Sequence, residues 1–260
     1  MMKIGASLAC LYPMEPEKAL IEMASIGVDT CEVFLNTYSE LSAEFLHMLR
    51  ELCDQNGVSV HSVHPFTSAL EHYMFFSPYQ RRINDSYEFY LKYAEAAKIL
   101  GASVINIHGD RGIKNGDVSF YKECIAPFRR IQERTGIVCA MENVFYNSVN
   151  DPEFVSNLIA STSDVYFTYD IKQARKGGQD PYILLQSMQD RVVNFHINDY
   201  DFEHICALPG RGMIDFKRIF SIMKRQNYCG PALIEVYRDN FCDVSEILES
   251  KNFLESEFYT

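Results

Sequence analysis

Short runs of β-branched and apolar residues recur along the chain, and between them lie stretches with helical spacing. The runs cover residues 3–8, 30–35, 58–64, 104–108, 137–142, 165–170, 192–197 and 233–237. Stretches 42–55, 85–100, 120–134 and 215–225 repeat their apolar positions every three or four residues, the period of a helix with one buried face. Gly27, Gly57, Gly101 and Gly136 each fall between a helical pattern and the next run, where a left-handed helix cap belongs. Strands alternating with helices build parallel sheets. Eight such units, with no Pro/Gly/Ser-rich linker between them, predict an α/β fold: one (β/α)₈ TIM barrel forming a single domain over residues 1–260. The alternative is a doubly wound open sheet, but no G-x-G-x-x-G follows the first strand to support it.

The same alternation locates candidate chemistry. Strands three to eight carry His64, His108, Glu142, Asp170, His196 and Glu235 at or near their C-terminal ends. Residues two apart share a face of a strand. Counting back places Asn106, Ala140, Thr168, Asn194 and Leu233 inside the barrel with these polar residues. Ile105, Ile107, Phe167, Tyr169, Val193, Phe195 and Ile234 face the outer helices. In TIM barrels the C-terminal strand ends converge on the active site. One polar residue at a strand end is an ordinary turn former, but six converging carboxylates and imidazoles repel and resist desolvation. A divalent cation removes that conflict. Glu142, Asp170, His196 and Glu235 are the expected ligands, an oxygen-rich set suited to Mn²⁺ first, with Mg²⁺, Zn²⁺ or Co²⁺ as alternatives.

Composition narrows the partners. The net charge of −11 argues against a nucleic-acid partner, because phosphate binding needs a basic stripe, and Arg81-Arg82 and Arg129-Arg130 are short clusters on helix faces. No apolar run reaches the length of a membrane span, and the first residues lack a basic region followed by an apolar one, so a cytoplasmic protein is expected. The eight cysteines include no C-x-x-C pair and read as free thiols, mostly buried, in a reducing compartment.

At the polar strand ends the chain resembles the xylose-isomerase-like sugar phosphate isomerase/epimerase superfamily, which includes ketose 3-epimerases and the endonuclease IV family. The resemblance runs through CEVFLN, SVHPF, INIHGD, MENV, YDIKQA, HINDY, PGRGMIDF and ALIEVY, in order, over nearly the whole chain. It implies that Glu142, Asp170, His196 and Glu235 match a single-metal site. It implies that His64 and His108 line a sugar pocket, at positions that hold an additional zinc in the endonucleases. There are departures. Strand six often reads D-x-x-H, and here it is Asp170-Ile-Lys-Gln173. Ketose 3-epimerases carry an acidic residue six after the strand-five glutamate and an arginine six after the strand-seven histidine, where this chain has Ser148 and Phe202.

The expected activity is metal-dependent isomerisation or epimerisation of a sugar or sugar phosphate, by proton transfer through a metal-stabilised enediolate. Glu142 and Glu235, three strands apart in the ring, would flank the substrate as both ligands and acid/base groups. The alternatives are an abasic-site nuclease and a catalytically silent metal-binding barrel. Of Lys172 and Gln173, beside a ligand, Gln173 is favoured for substrate contact. His204 and Arg211 occupy the loop after strand seven, where such barrels often hold phosphate; a plain tight turn is the competing reading for Arg211. Glu32 would bond a sugar hydroxyl or form a buried salt bridge, and Asp199 would support His196 from behind. The aromatic segment 73–79 reads as a lid, as a contact within a homo-oligomer or as a packed loop.

Overall fold

A computed structural model describes residues 2–112 and 117–259. Its strands are β1 (Ile4–Ser7), β2 (Thr30–Phe34), β3 (Ser59–His64), β4 (Val104–Ile107), β5 (Val138–Glu142), β6 (Tyr166–Asp170), β7 (Val192–Ile197) and β8 (Ala232–Ile234). All pair in parallel with their sequence neighbours, and β1 pairs with β8, closing the barrel. Helices alternate with the strands: α1 (Pro16–Ser25), α2 (Ala43–Asn56), α3 (Glu71–Met74), α4 (Gln80–Leu100), α5 (Val118–Thr135), α6 (Pro152–Ser161), α7 (Ile171–Lys176), α8 (Pro181–Ser187), α9 (Phe216–Arg225) and α10 (Ser245–Tyr259). No described helix is long and apolar enough to cross a membrane.

The helices start and stop where their end residues dictate. The side chains of Ser42, Asp117, Asp151, Asp180 and Asp215 accept backbone N–H groups from the first turns of α2, α5, α6, α8 and α9. Gly57 and Gly136 close α2 and α5 at φ 68° and 78°, a conformation that costs any other residue strain. Helix α4 begins at Gln80, five residues before the expected start, because its first turn is polar and shows no apolar period.

The strand faces divide as the alternation requires. Ile105, Ile107, Phe167, Tyr169, Phe195 and Ile234 belong to the large apolar cluster beneath the helices. Inside the barrel lies a buried polar layer of Ser7, Glu32, Ser62, Asn106, Thr168 and Asn194. Strands β4 and β8 end at Ile107 and Ile234, so His108 and Glu235 occupy the first position beyond the ladder. Within the aromatic segment, Phe75 is fully buried against Tyr90 and Phe128, while Tyr73 and Tyr79 remain exposed. The cysteines are all free; six are buried, whereas Cys229 and Cys242 are exposed.

Candidate metal centre

Strands β5 to β8 deliver one ligand candidate each to the same point. The register sets Asp170 beside His196, and Glu142 beside Thr168, which lies two residues before Asp170 on the same face. Ligand atoms of Glu142, Asp170, His196 and Glu235 all lie within 4.8 Å of one another. The His196 Nδ1 atom stands 3.2 Å from Glu235 Oε2, 3.8 Å from Asp170 Oδ2 and 3.9 Å from Glu142 Oε1. Asp170 Oδ2 meets the Lys172 ammonium at 2.7 Å, while His196 Nδ1 faces the carboxylate oxygens. Carboxylates crowded at this depth call for positive charge, and a cation bound by all four residues would supply it. Three carboxylates and one imidazole fit Mn²⁺ or Mg²⁺, and also Zn²⁺ or Co²⁺.

Three of the four candidate ligands are held from behind. Glu142 Oε2 accepts from Asn106 Nδ2 at 2.5 Å. Asn147 Nδ2 donates to the carbonyls of Glu142 and His108 at 2.6 and 2.7 Å, tying the ends of β5 and β4 together. Asp170 is both candidate ligand and N-cap of α7: its Oδ1 accepts from Gln173 N and from Asn198 Nδ2, each at 3.1 Å. Asn143 clamps the Asp170 backbone through bonds of 2.7 and 2.9 Å. The Nε2 of His196 lies 3.1 Å from Glu32 Oε2. A carboxylate only accepts, so Nε2 carries the proton and Nδ1 is aimed at the cluster, the carboxylate–imidazole arrangement common behind metal ligands.

Glu32 is thus the support for His196, the buried salt bridge of the two roles open to it, and the expectation for Asp199 is corrected. Glu32 is completely buried, its carboxylate also accepting from Ser62 Oγ at 2.7 Å and Asn194 Nδ2 at 3.1 Å, so it cannot reach a sugar hydroxyl. Asp199 instead accepts the N–H groups of Tyr200, Gly210, Gly212 and Ile214 at 2.9–3.1 Å, and holds the loop after β7 rather than His196. Two further candidates point away from the cluster. Arg211 turns outward to pair with Glu246 and Glu249 on α10, satisfying its charge there. His204 is exposed and pairs with Asp201 at 3.0 Å, held by its own turn.

A cavity of about 220 Å³ opens beside the cluster, lined among others by Phe34, His64, His108, Gln173 and Tyr237. His64 and His108 bring their Nε2 atoms to 3.0 Å from each other, and His108 Nε2 lies 3.4 Å from Glu142 Oε2. These two histidines and Glu142 form a second convergent group. Gln173 reaches the cavity wall with its Oε1 accepting from Phe145 N at 3.2 Å. At the two departures, Ser148 Oγ donates to Asp110 at 2.6 Å, and Phe202 is 92% exposed.

Lys172 was set behind Gln173 by sequence reasoning, yet it enters the cluster itself. It is 4% exposed, with Nζ 2.7 Å from both Asp170 Oδ2 and Glu235 Oε2. Glu71 on α3 gave no sequence signal at all. It is buried behind His108, accepting from Gly109 N at 2.7 Å and Tyr90 Oη at 2.5 Å. The asparagines at positions 143, 147 and 198 were likewise invisible as supports, and Asn106 was placed inside the barrel without a role.

Electrostatics follow the placement. Burial pushes the Glu142 carboxyl up, but His108 and then His196 outweigh it and bring it to about 2. Burial likewise works against Glu235, which His196 and Lys172 hold well below the usual range. Asp170 is raised to about 6, burial prevailing over the pull of Lys172. His196 is raised well above its ordinary value, because Glu235 and Glu32 overcome burial. Burial and His108 lower His64, whereas Glu142 raises His108 in spite of burial. A divalent cation would reverse this balance, since it needs the imidazole neutral and supplies the positive charge itself.

Comparison with known proteins bears on the family and the fold. The family described as the xylose isomerase-like TIM barrel matches residues 20–257. L-ribulose-5-phosphate 3-epimerase of Escherichia coli is 25% identical over 127 residues, 47% of this chain and 45% of that protein. The chain thus spans about half the length of the curated relatives it matches. A D-tagatose 3-epimerase-like protein superimposes with a TM-score of 0.79 at 20% identity, over 99% of this chain and 97% of the other. D-psicose 3-epimerase with D-tagatose, from Clostridium cellulolyticum H10, gives 0.78 at 16% identity over 99% of both chains. At such identities the structural likeness speaks for the fold.

Proposed function

Since the chain belongs to the xylose isomerase-like TIM-barrel family, we propose that it is a divalent-metal-dependent isomerase or epimerase of a sugar or sugar phosphate. The observation that carries this reading is the pair Glu142 and Glu235, which reach one cluster from β5 and from just past β8 and both line the adjoining cavity. A cation held by Glu142, Asp170, His196 and Glu235, Mn²⁺ first among the candidates, would polarise a carbonyl and acidify the neighbouring C–H. The proton itself is the work of the glutamates. Both are carboxylates that reach the cavity, so either can accept it, and their separate strands let one act on each face of a planar enediolate. His64, His108 and Gln173 offer hydrogen-bonding atoms to substrate hydroxyls along the cavity wall.

The test is metal analysis of the purified protein, then a Mn²⁺-supplemented screen of ketoses, aldoses and their phosphates in deuterated water. Expected are about one divalent ion per chain and product carrying solvent deuterium at a carbon next to the carbonyl. Absence of any metal uptake would overturn the site. Conversion without deuterium would remove the enediolate route and leave the site standing. Incision of abasic DNA at the rate of a dedicated repair enzyme would replace the proposal; the net charge of −11 and Gln173 in place of histidine both favour the opposite result.

A further inference from the structure

Lys172 is the member of the cluster whose charge conflicts with a bound cation. It sits in the first turn of α7, two residues after Asp170, and its ammonium bridges Asp170 Oδ2 and Glu235 Oε2 at 2.7 Å each. The same two oxygens are those nearest His196 Nδ1 among their carboxylates, at 3.8 and 3.2 Å. Resting on the metal reading above, we infer that Lys172 is a built-in counter-ion that bridges Asp170 and Glu235 in place of the metal and is displaced when the metal binds.

Three facts carry the inference. An ammonium has three donors and no lone pair while protonated, so Lys172 cannot join a cation as a ligand. Two positive charges on one carboxylate pair repel strongly where water is excluded. Lys172 also has somewhere to go: its Nζ lies 5.5 Å from the centre of the Tyr237 ring, and both residues line the cavity. A rotation of its flexible stem toward that ring gives up the ion pair and shortens the cation–π contact already in reach, beside solvent. The metal-free protein thereby keeps its buried carboxylates paired, and the loaded protein gains an ammonium facing whatever fills the cavity.

The experiment follows Lys172 in the intact chain. Chelator-stripped protein is treated briefly with acetic anhydride, with and without saturating Mn²⁺, and acetylation of Lys172 is read by peptide mass spectrometry. Exposed Lys18 serves as the internal reference. Expected is low labelling of Lys172 without metal and a rise of about tenfold with it, while Lys18 stays constant. In parallel, calorimetry compares Mn²⁺ binding by wild type and Lys172→Met. The variant is expected to bind at least tenfold more tightly, and its stripped form to melt at a lower temperature than stripped wild type. Labelling of Lys172 that ignores the metal, or a variant that binds Mn²⁺ no more tightly, overturns the exchange while the metal site stands. Failure of both proteins to take up Mn²⁺ overturns the exchange and the metal reading together. The labelling arm needs no variant, so misfolding of Lys172→Met would not decide the matter.

Discussion

The two flanking glutamates are neutralised by different means. Glu142 lies on the imidazole side: His108 Nε2 is 3.4 Å away, His64 Nε2 4.0 Å, and Asn106 fixes the same oxygen. Glu235 lies on the ammonium side, 2.7 Å from Lys172 Nζ, with a side chain that retains 13% exposure at the cavity. Both lie close to His196. An imidazole can lose its proton near neutral pH and then accept one, whereas a lysine ammonium in an ion pair can only donate or leave. The β3–β5 side therefore presents groups that can take up and release a proton, whereas the β6–β8 side holds its carboxylates with a fixed charge.

The largest expected effect tests whether the two sides share the chemistry. Glu142→Gln and Glu235→Gln each keep the size and one ligand oxygen but remove the basic carboxylate. Each should lower kcat by roughly 10²–10⁴-fold, the contribution of one acid–base group, once a substrate has been found. Near-normal turnover in either variant would show that its side holds the metal alone. Equal losses in both would support one carboxylate on each face of the substrate.

A smaller effect concerns the imidazole side. Glu71, buried behind His108, is raised to about 7, chiefly by burial. In the unfolded chain its carboxyl returns to its ordinary value of 4.5. Between those values the folded state binds the extra proton, so its stabilising share is complete below 4.5 and is lost as pH rises through 7. The full loss is on the order of 3 kcal/mol, from about 1.4 kcal/mol per pH unit. Denaturant unfolding in the presence of chelator, at pH 4.5 and 8, should show this decline in wild type relative to Glu71→Gln. Parallel curves for the two proteins would mean that Glu71 keeps its charge in the fold, and that the imidazole side is not backed by a neutral acid.

How far this arrangement could be read beforehand depended on the reach of each residue. Period-two alternation carried the inward direction of Glu142, Asp170 and His196, because a side chain on a ladder has no other choice of face. Glu235 and His108 lie one residue beyond their strands and still follow the pattern, since the chain has not yet turned. Residues in loops obey no such period. His204, Arg211 and Asp199 share the loop after β7, and their directions were set by Asp201, by the carboxylates of α10 and by four backbone N–H groups, none of which a strand pattern encodes. Lys172 was misweighted for another reason. The chain alone shows that it follows a ligand, but only the turn from β6 into α7 brings its ammonium back over Asp170. Glu32 was open between two roles, and the barrel's closure decided it by setting β2 across from β7.

The smallest effect marks where the comparison ends. If the basic groups that matter are His64, His108, His196 and Lys172, then those of the β7 loop are bystanders to binding. Arg211 spends its charge on Glu246 and Glu249, and His204 on Asp201, both outside the cavity lining. Arg211→Ala and His204→Ala should therefore leave KM for any phosphorylated substrate within about twofold of wild type. A charge-assisted contact to phosphate is worth about 1.5–3 kcal/mol, or at least tenfold in affinity. A tenfold rise in KM for the phosphorylated form, with the free sugar unaffected, would show that this loop swings inward on binding. The ammonium side would then extend from Lys172 to Arg211, and the recognition of phosphate would belong to the β7 loop that the present geometry turns away.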